Sequence, residues 1–527
     1  MQRWYLGLDS STQSLTAVGI APEGRKILCE ISLNFDRELP AYGTRNGTLR
    51  HEDPTVVHAP PLMWVEALDK MFERLRREGL PLGELAAVSV SGQQHGSVYL
   101  NETAADRLAR LDPSVPLVEN LRGVFSRPTS PIWMDSSTSV ECAEITEALG
   151  GSAEVARRTG SAAFERFTGP QIRKFYKMDP EGYLRTAHIA LVSSFLPSVL
   201  AGRIAPIDVG DGAGMNLMNI QARDWDPAAL AATAPDLRRR LPPIVESWTV
   251  VGPVARYFAE RYGVSPQAQV VVGSGDNPCS LVGLGLVRSG MVAISLGTSD
   301  TYFGAMDECR VSLEGEGHVF GSPTGGYMTL VCFKNGSLAR ERVRDQLGLD
   351  WEGFARAVFS TPPALGGRGL MLPWFEPEIT PKVLKPGARY QGVRPDDPAV
   401  CRAAVEAQMM AMRIHTRWMG VRPSCIYATG GASANPAILR VMADVHRCPV
   451  YRFETTASAA LGAALRAFHA WQRSAGDPLS WDEVVRGFAE PVRDSRVDPS
   501  PETAAVYDAM EVAYREFEQT ELARSQT

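Results

Sequence analysis

Two stretches of this chain, far apart, are built alike. "QRWYLGLDSSTQSLTAVGI" (2–20) and "GMVAISLGTSDTYFGAM" (290–306) each read as an apolar strand, a turn of small hydroxylated residues and a second apolar strand. Such a unit must bury a sheet face, so each copy needs covering elements of its own. The residues match weakly; the shared order carries the inference of one domain plan used twice. Length agrees, because single cores stop growing at roughly 250–300 residues and this chain has 527. The expected boundary lies in "LGLVRSG", giving segments 1–287 and 288–527.

Between these landmarks strands and helices alternate. "WYLGLDSS", "LTAVGIA" and "KILCEISL" read as successive strands, "VVHAPPLMWVEALDKMFERLRR" as a helix, and "ELAAVSVSGQQHG" as a strand ending in a polar turn. That order argues for a mixed α/β sheet. Residues 361–398 are rich in Pro and Gly yet keep apolar residues, which predicts an ordered loop or short hairpins. "PAVCRAAVEAQMMAMRIHTRWM" predicts an amphipathic helix, and "CIYATGGASANPAILRVMADVHRCPV" a strand, a glycine-rich turn and a helix. A long helix is expected after Ser500 and Pro501.

A net charge of −6 argues against a nucleic-acid surface. None of the eight cysteines has CxxC spacing, and most sit in apolar strings. Reduced, buried thiols are expected, with neither a zinc site nor a disulfide framework. The opening "MQRWYLGLDSSTQS" lacks the apolar core expected of a signal peptide, because Asp9 interrupts it. The most apolar helix-like run, "IALVSSFLPSVLAG", is too short to span a bilayer and contains Pro197. A soluble, cytoplasmic protein without nucleic-acid or membrane partners is expected.

Several familiar sites are missing. GxxxxGK[ST] and HExxH do not occur, and "GDGAGMN" and "GSGDNP" do not complete GxGxxG. What remains is a set of small-residue turns after strands, whose backbone N–H groups and hydroxyls suit an anion. "DSSTQS" adds Asp9, an acid that phosphate would repel unless a divalent cation lay between them; the alternative is a carboxylate that caps its own turn. In "TGGASAN", Gly430 and Gly431 let a flat ring or phosphate approach the backbone, and Asn435 either contacts such a ligand or caps the following helix. In "QVVVGSGDNPCSLVGLGL", Asp276 is an acid among small and apolar residues at a strand end. It reads as a general base or as the cap of a helix starting at Pro278. His95, in "SGQQHGS", is structural or a donor–acceptor for hydroxyls; Trp351 is core or a face for a flat ring.

Taken in order, "YLGLDSSTQSLTAVGI", "VSVSGQQHGSVYL", "SPIWMDSSTS", "VVVGSGDNPCSLVGLGL", "ISLGTSDTYFG", "YATGGASANPAIL" and "TTASAALGAALRA" resemble the FGGY family of carbohydrate kinases over nearly the full length. The resemblance implies an α/β, two-lobed actin/hexokinase-like (ribonuclease H-like) ATPase fold with a deep interdomain cleft. It implies an N-terminal sugar-binding domain, a C-terminal ATP-binding domain, and ATP with Mg²⁺. "SGQQHG", "IWMDSST", "FERFTGPQI" and "FKNGSLARE" are most like members that phosphorylate the ketose D-xylulose. Other sugars or polyols, such as ribulose, glycerol or gluconate, are the alternatives within the family. A catalytically silent sugar-binding relative is the alternative outside catalysis, and retention of both Asp9 and Asp276 argues against it.

By the resemblance, Asp9 faces Mg²⁺, while Thr12, Gly297, Thr298 and Ser299 contact the phosphates. Gly430, Gly431 and Asn435 hold the adenosine, with Trp351 near the base. His95, Arg166, Asp276 and Asn277 bind the sugar, and Asp276 is the general base. The assembly expected is a monomer or homodimer. The chain departs from the common family pattern at Ser11, where many members have Gly, and at Ser137, where many have Arg. It departs again in "LPWFEPEITP", which lacks the usual Gly-Glu before its Pro.

Overall fold

The computed structural model describes residues 3–454 and 457–526; Met1 and Gln2 of the opening, and the two threonines of "TTASAALGAALRA", lie outside the described residues. The first strands alternate as expected for a sheet buried on both faces. In β1 (Trp4–Ser10), Trp4, Leu6 and Leu8 enter one core layer and Tyr5 the other. β2 (Ser14–Ala21) and β3 (Lys26–Asn34) continue as antiparallel neighbours, and β4 (Leu85–Gly92) runs parallel to β1. With β5 (Val250–Pro253) and β6 (Gln269–Val271) the order is β5-β6-β4-β1-β2-β3, and Ser274–Gly275 adds to the end of β4.

The second sheet repeats the plan. It comprises β7 (Met291–Leu296), β8 (Asp300–Met306), β9 (His318–Gly321), β10 (Tyr327–Phe333), β11 (Cys425–Thr429) and β12 (Val450–Arg452). Their order is β9-β10-β8-β7-β11-β12. The antiparallel run β3-β2-β1 followed by parallel β4 and β6 corresponds to β10-β8-β7 followed by parallel β11 and β12. The two hairpins read from sequence are the matching central hairpins of these sheets.

Helices cover both sheets. α1 (Pro61–Arg77) starts at its proline, with Pro60 as an extended cap, so "VVHA" lies outside the predicted helix. It buries Met63, Trp64, Leu68, Met71, Phe72 and Leu75 and ends in exposed arginines that suit the helix C-terminus. The run "IALVSSFLPSVLAG" is no single helix: it is the end of a strand, Thr186–Leu191, followed by α2 (Val192–Ala201). Beyond it lie α3 (Val209–Ala213), α4 (Asp276–Gly283), α5 (Ser337–Gln346) and α6 (Trp351–Ser360).

α7 (Val400–His415) departs from the amphipathic reading, since Arg402, Glu406, Gln408 and His415 are buried with its apolar residues. Arg402 Nε donates to Glu406 Oε1 at 2.7 Å, and Tyr507 donates to the same oxygen at 2.7 Å, so the polar stripe is paired rather than solvated. α8 (Pro436–His446), α9 (Ser458–Ser474) and α10 (Ala504–Gln526) complete the chain, and α9 lies across β1 and β4 of the first sheet. Within 361–398, Leu370–Leu372 pairs with Arg389–Gln391 as a short hairpin. No helix among the described residues is long and apolar enough to cross a membrane. All eight cysteines are free thiols, four of them buried.

Candidate active site

The parallel strands of the first sheet end at one edge, where side chains of the following turns converge. Asp9 lies opposite Ser91 in register, and Ser91 Oγ donates to Asp9 Oδ1 at 2.6 Å. Burial pushes the Asp9 carboxyl up to about 7; the Ser91 hydrogen bond opposes this and the charge of Asp276 adds to it. The two carboxylates therefore share one environment. Asp276 is the first residue of α4, and its cap is Gly275, which has no side chain to offer. The capping alternative for Asp276 falls away. Its Oδ1 accepts from Asn277 N at 2.8 Å and from Asn277 Nδ2 at 3.1 Å. Burial lifts its carboxyl to about 6 against these hydrogen bonds, which places a proton acceptor close to neutrality.

Asn277 Nδ2 also donates to Gln94 Oε1 at 2.7 Å. Gln94 lies against Gly275, where a Cβ would stand 2.4 Å from Gln94 Cγ. The glycine is what admits the glutamine. His95 follows, buried, with φ at +70°, a backbone conformation unusual for a residue with a side chain. Its Nδ1 lies 2.7 Å from Gly214 O, an acceptor, so Nδ1 carries the hydrogen. Burial and the nearby Arg166 charge hold His95 well below its usual range and therefore neutral. Nε2 is left as a lone-pair acceptor, the right complement for a hydroxyl. Arg166, half-buried, lies over the Phe164 ring at 6.0 Å and near both His95 and His318.

A second cluster belongs to residues 296–438. A cavity of ≈ 840 Å³ is lined by Gly297, Thr298, Ser337, Trp351, Gly431 and Asn435 among others. Trp351 is 39% exposed at the start of α6, with the Arg344 guanidinium 4.5 Å over its ring, so it is not core. Asn435 caps α8, its Oδ1 accepting from Ala437 N at 3.0 Å, and lines the cavity as well. A Cβ on Gly431 would meet nothing within 4 Å, whereas one on Gly430 would stand 2.6 Å from Leu296 O. Gly430 therefore serves the close approach of β11 to β7, and Gly431 faces open space. Thr298 and Ser299 are exposed in the β7–β8 turn. Asp300 after them is an anchor: Arg340 Nη1 donates to its Oδ2 at 2.7 Å, with both side chains buried.

Thr12 Oγ1 accepts from Trp133 Nε1 at 2.8 Å and donates to Gln93 Oε1 at 3.4 Å, beside the first cluster. Where many relatives have Arg, Ser137 Oγ accepts from Lys174 Nζ at 2.7 Å, so a cation is still present. Sequence reasoning missed Ser91, Gln94, Trp133 and Asp211. Ser91 and Gln94 were signalled by the polar end of an apolar strand; Asp211 lies in "GDGAGMN", set aside only because it fails a dinucleotide pattern. Among the described residues no group of three His, Cys, Asp or Glu is placed to hold a metal ion.

Models of the N- and C-terminal domains of the FGGY family of carbohydrate kinases match residues 129–283 and 292–471. The chain is 42% identical to a xylulose kinase of Rattus norvegicus, over 99% of this chain and 98% of that protein. It is 43% identical to xylulose kinase 2 of Arabidopsis thaliana, over 89% of this chain and 87% of that protein. The crystal structure of xylulose kinase from Rhodospirillum rubrum superposes with a TM-score of 0.82 at 20% identity, covering 100% of both chains.

Proposed function

The chain belongs to the FGGY family of carbohydrate kinases, and from that footing we propose that it phosphorylates D-xylulose at O5, with ATP as donor. The observation that carries this reading is that buried Asp276 and His95 both follow strand ends at one sheet edge, joined through the Asn277–Gln94 hydrogen bond, with the Asp276 carboxyl raised to about 6 and His95 neutral. The full-length similarity to xylulose kinases supports the choice of sugar. Residues 1–287 hold the ketose and residues 288–527 hold most of the nucleotide.

In this mechanism His95 Nε2 accepts from a sugar hydroxyl, Arg166 donates to another, and Asn277 Oδ1, the one group of that amide not already engaged, accepts from a third. Asp276 accepts the O5 proton as O5 bonds to the γ-phosphorus and the bond to the β–γ bridging oxygen breaks, releasing ADP. Thr298 and the exposed N–H groups of its turn face the phosphates, and Gly431, Asn435 and Trp351 take the adenosine. The side of Asp9 fits a divalent cation: a buried carboxylate raised to about 7 is short of positive charge. Mg²⁺ held there, with phosphate oxygens and water as its other ligands, would neutralise charge on the transferring group.

ADP release with D-xylulose, D-ribulose, L-ribulose, glycerol and gluconate tests the reading. Preference for D-xylulose is expected. Preference for another compound would keep the kinase and reject the sugar contacts. No stimulation by any of them would overturn the kinase reading for this chain.

A further inference from the structure

The proposed base is held in place by a chain of groups that the reaction itself does not use. Asp211, in α3, is 1% exposed. Its backbone N–H is fixed by Asp208 Oδ1 at 2.8 Å, and its Oδ2 accepts from Ser193 Oγ. Its Oδ1 has no aligned partner among the described residues, and neither has Gln94 Nε2. The two residues meet at Ser274–Gly275, on which α3 packs and against which the Gln94 side chain lies, and the Gln94 amide is close enough to oppose the rise in the Asp211 carboxyl's proton affinity. Gln94 Oε1 accepts from Asn277 Nδ2, and Asn277 donates twice to Asp276 Oδ1. A side-chain amide has one oxygen and one NH2 end. If its oxygen must face Asn277, its nitrogen needs an acceptor on the other side, and Asp211 Oδ1 is the group there.

We infer that Asp211 is a positioning residue for the phosphoryl-transfer step: it fixes the orientation of the Gln94 amide, which aligns Asn277 and through it the Asp276 carboxylate. The inference rests on the kinase reading for its kinetic consequence and on geometry alone for the hydrogen-bond chain. Burial, together with the Asp208 and Asp276 carboxylates, raises the proton affinity of Asp211 well above the usual carboxylate range, while Ser193 and Gln94 oppose this. The carboxyl presents Oδ1 as an acceptor to Gln94 and Oδ2 as the acceptor for the Ser193 hydroxyl. Asparagine keeps the acceptor for Gln94 and sets its NH2 against Ser193 Oγ, whose hydroxyl can turn to accept. Alanine offers neither group. Without the acceptor the Gln94 amide is free to turn, setting NH2 against NH2 at Asn277 and loosening the hydrogen bonds on Asp276.

Three variants and two readouts test this. Asp211→Asn should keep kcat within about threefold of the parent, whereas Asp211→Ala should lower it by about ten- to a hundredfold, the scale of a small misplacement of a reacting group. In Asp211→Ala the acidic limb of kcat/KM should move to higher pH, because carboxylate-stabilising hydrogen bonds are weakened, with KM for ATP unchanged. Gln94→Leu should reproduce the effect, and the double variant Gln94→Leu/Asp211→Ala should be no slower than the worse single one. A merely structural role would lower stability in both Asp211 variants and leave the acidic limb in place.

Carbon-13 NMR titration of the Asp276 carboxyl, assigned by its loss in Asp276→Asn, reads the same chain without turnover. The Asp276 midpoint should rise in Asp211→Ala and stay in Asp211→Asn. An unmoved midpoint in Asp211→Ala, or in Gln94→Leu should that variant alone be folded, overturns the inference. If the parent shows no sugar-stimulated turnover while the midpoint moves as expected, the kinase reading fails and the hydrogen-bond chain stands.

Discussion

At Asp276 a single carboxyl connects stability to chemistry. Its affinity for a proton rises from an ordinary 3.8 to about 6 on folding, because the ionised form loses water. The folded state therefore binds the proton more tightly than the unfolded one, and stability falls as pH rises from about 4 to about 6. The cost is complete above that window, on the order of 2–3 kcal/mol. Asp276→Asn should consequently raise the unfolding temperature at pH 8 and leave it little changed at pH 4. The same substitution should lower kcat by about 10²–10⁴-fold, the usual worth of a general base. In the parent enzyme kcat/KM should fall as pH drops through about 6, where Asp276 takes up its proton. Gly431 offers a complementary residue-scale test, since a side chain there meets no protein atom within 4 Å. Gly431→Val should raise KM for ATP while the denaturation midpoint stays within error of the parent.

The β7–β8 hairpin shows how an element is made to present a turn. Gly297 O accepts from Ser337 N at 2.8 Å, tying the turn to the start of α5. Arg340 of α5 binds Asp300 with both nitrogens of its fork and also donates to Gln408 of α7 at 2.7 Å. This explains two features that sequence reasoning could not separate. Asp300, next to the hydroxylated turn, is an anchor and not part of the turn's open surface; Gln408, on an expected polar helix face, is buried because it completes the anchor. Arg340→Leu should cost about 3–5 kcal/mol in urea unfolding, because it strands a buried carboxylate. It should also raise KM for ATP more than KM for the sugar.

Over the whole molecule, the division at 287/288 separates the two sheets but not every contact. α9 belongs to the second segment and covers a face of the first sheet, crossing α4 so closely that a Cβ on Gly462 would stand 1.8 Å from Cys279 O. Arg466 of α9, 1% exposed, donates to Ser247 O at 3.0 Å, Val272 O at 2.9 Å and Ser89 Oγ at 3.2 Å. Residues 1–287 produced alone should therefore expose an apolar sheet face and leave Ser247 O without its Arg466 donor. Such a fragment is expected to bind a hydrophobic dye and to unfold without a cooperative transition; a monomeric fragment with a sharp transition would contradict this account.

Local patterns in the sequence were enough for the strand hairpins, the α/β alternation and the small-residue turns, because period-2 burial and turn chemistry act over a few residues. The repeated hairpin order also announced the repeated sheet, since topology follows from the order of elements. Roles that depend on approach across the fold were not legible. Nothing adjacent to Gln94 in the chain says that Gly275 makes room for it, and nothing near Asp211 says that its carboxyl lies beside that amide. The paired polar stripe of α7 reads as a solvated face until its partners arrive from α6 and α10. The sequence by itself determined where each strand must turn and which polar side chains stand at those turns; tertiary structure decided which carboxylates are stripped of water and so have their proton affinity raised toward neutrality, because desolvation is a property of everything packed around a group and not of its neighbours in the chain.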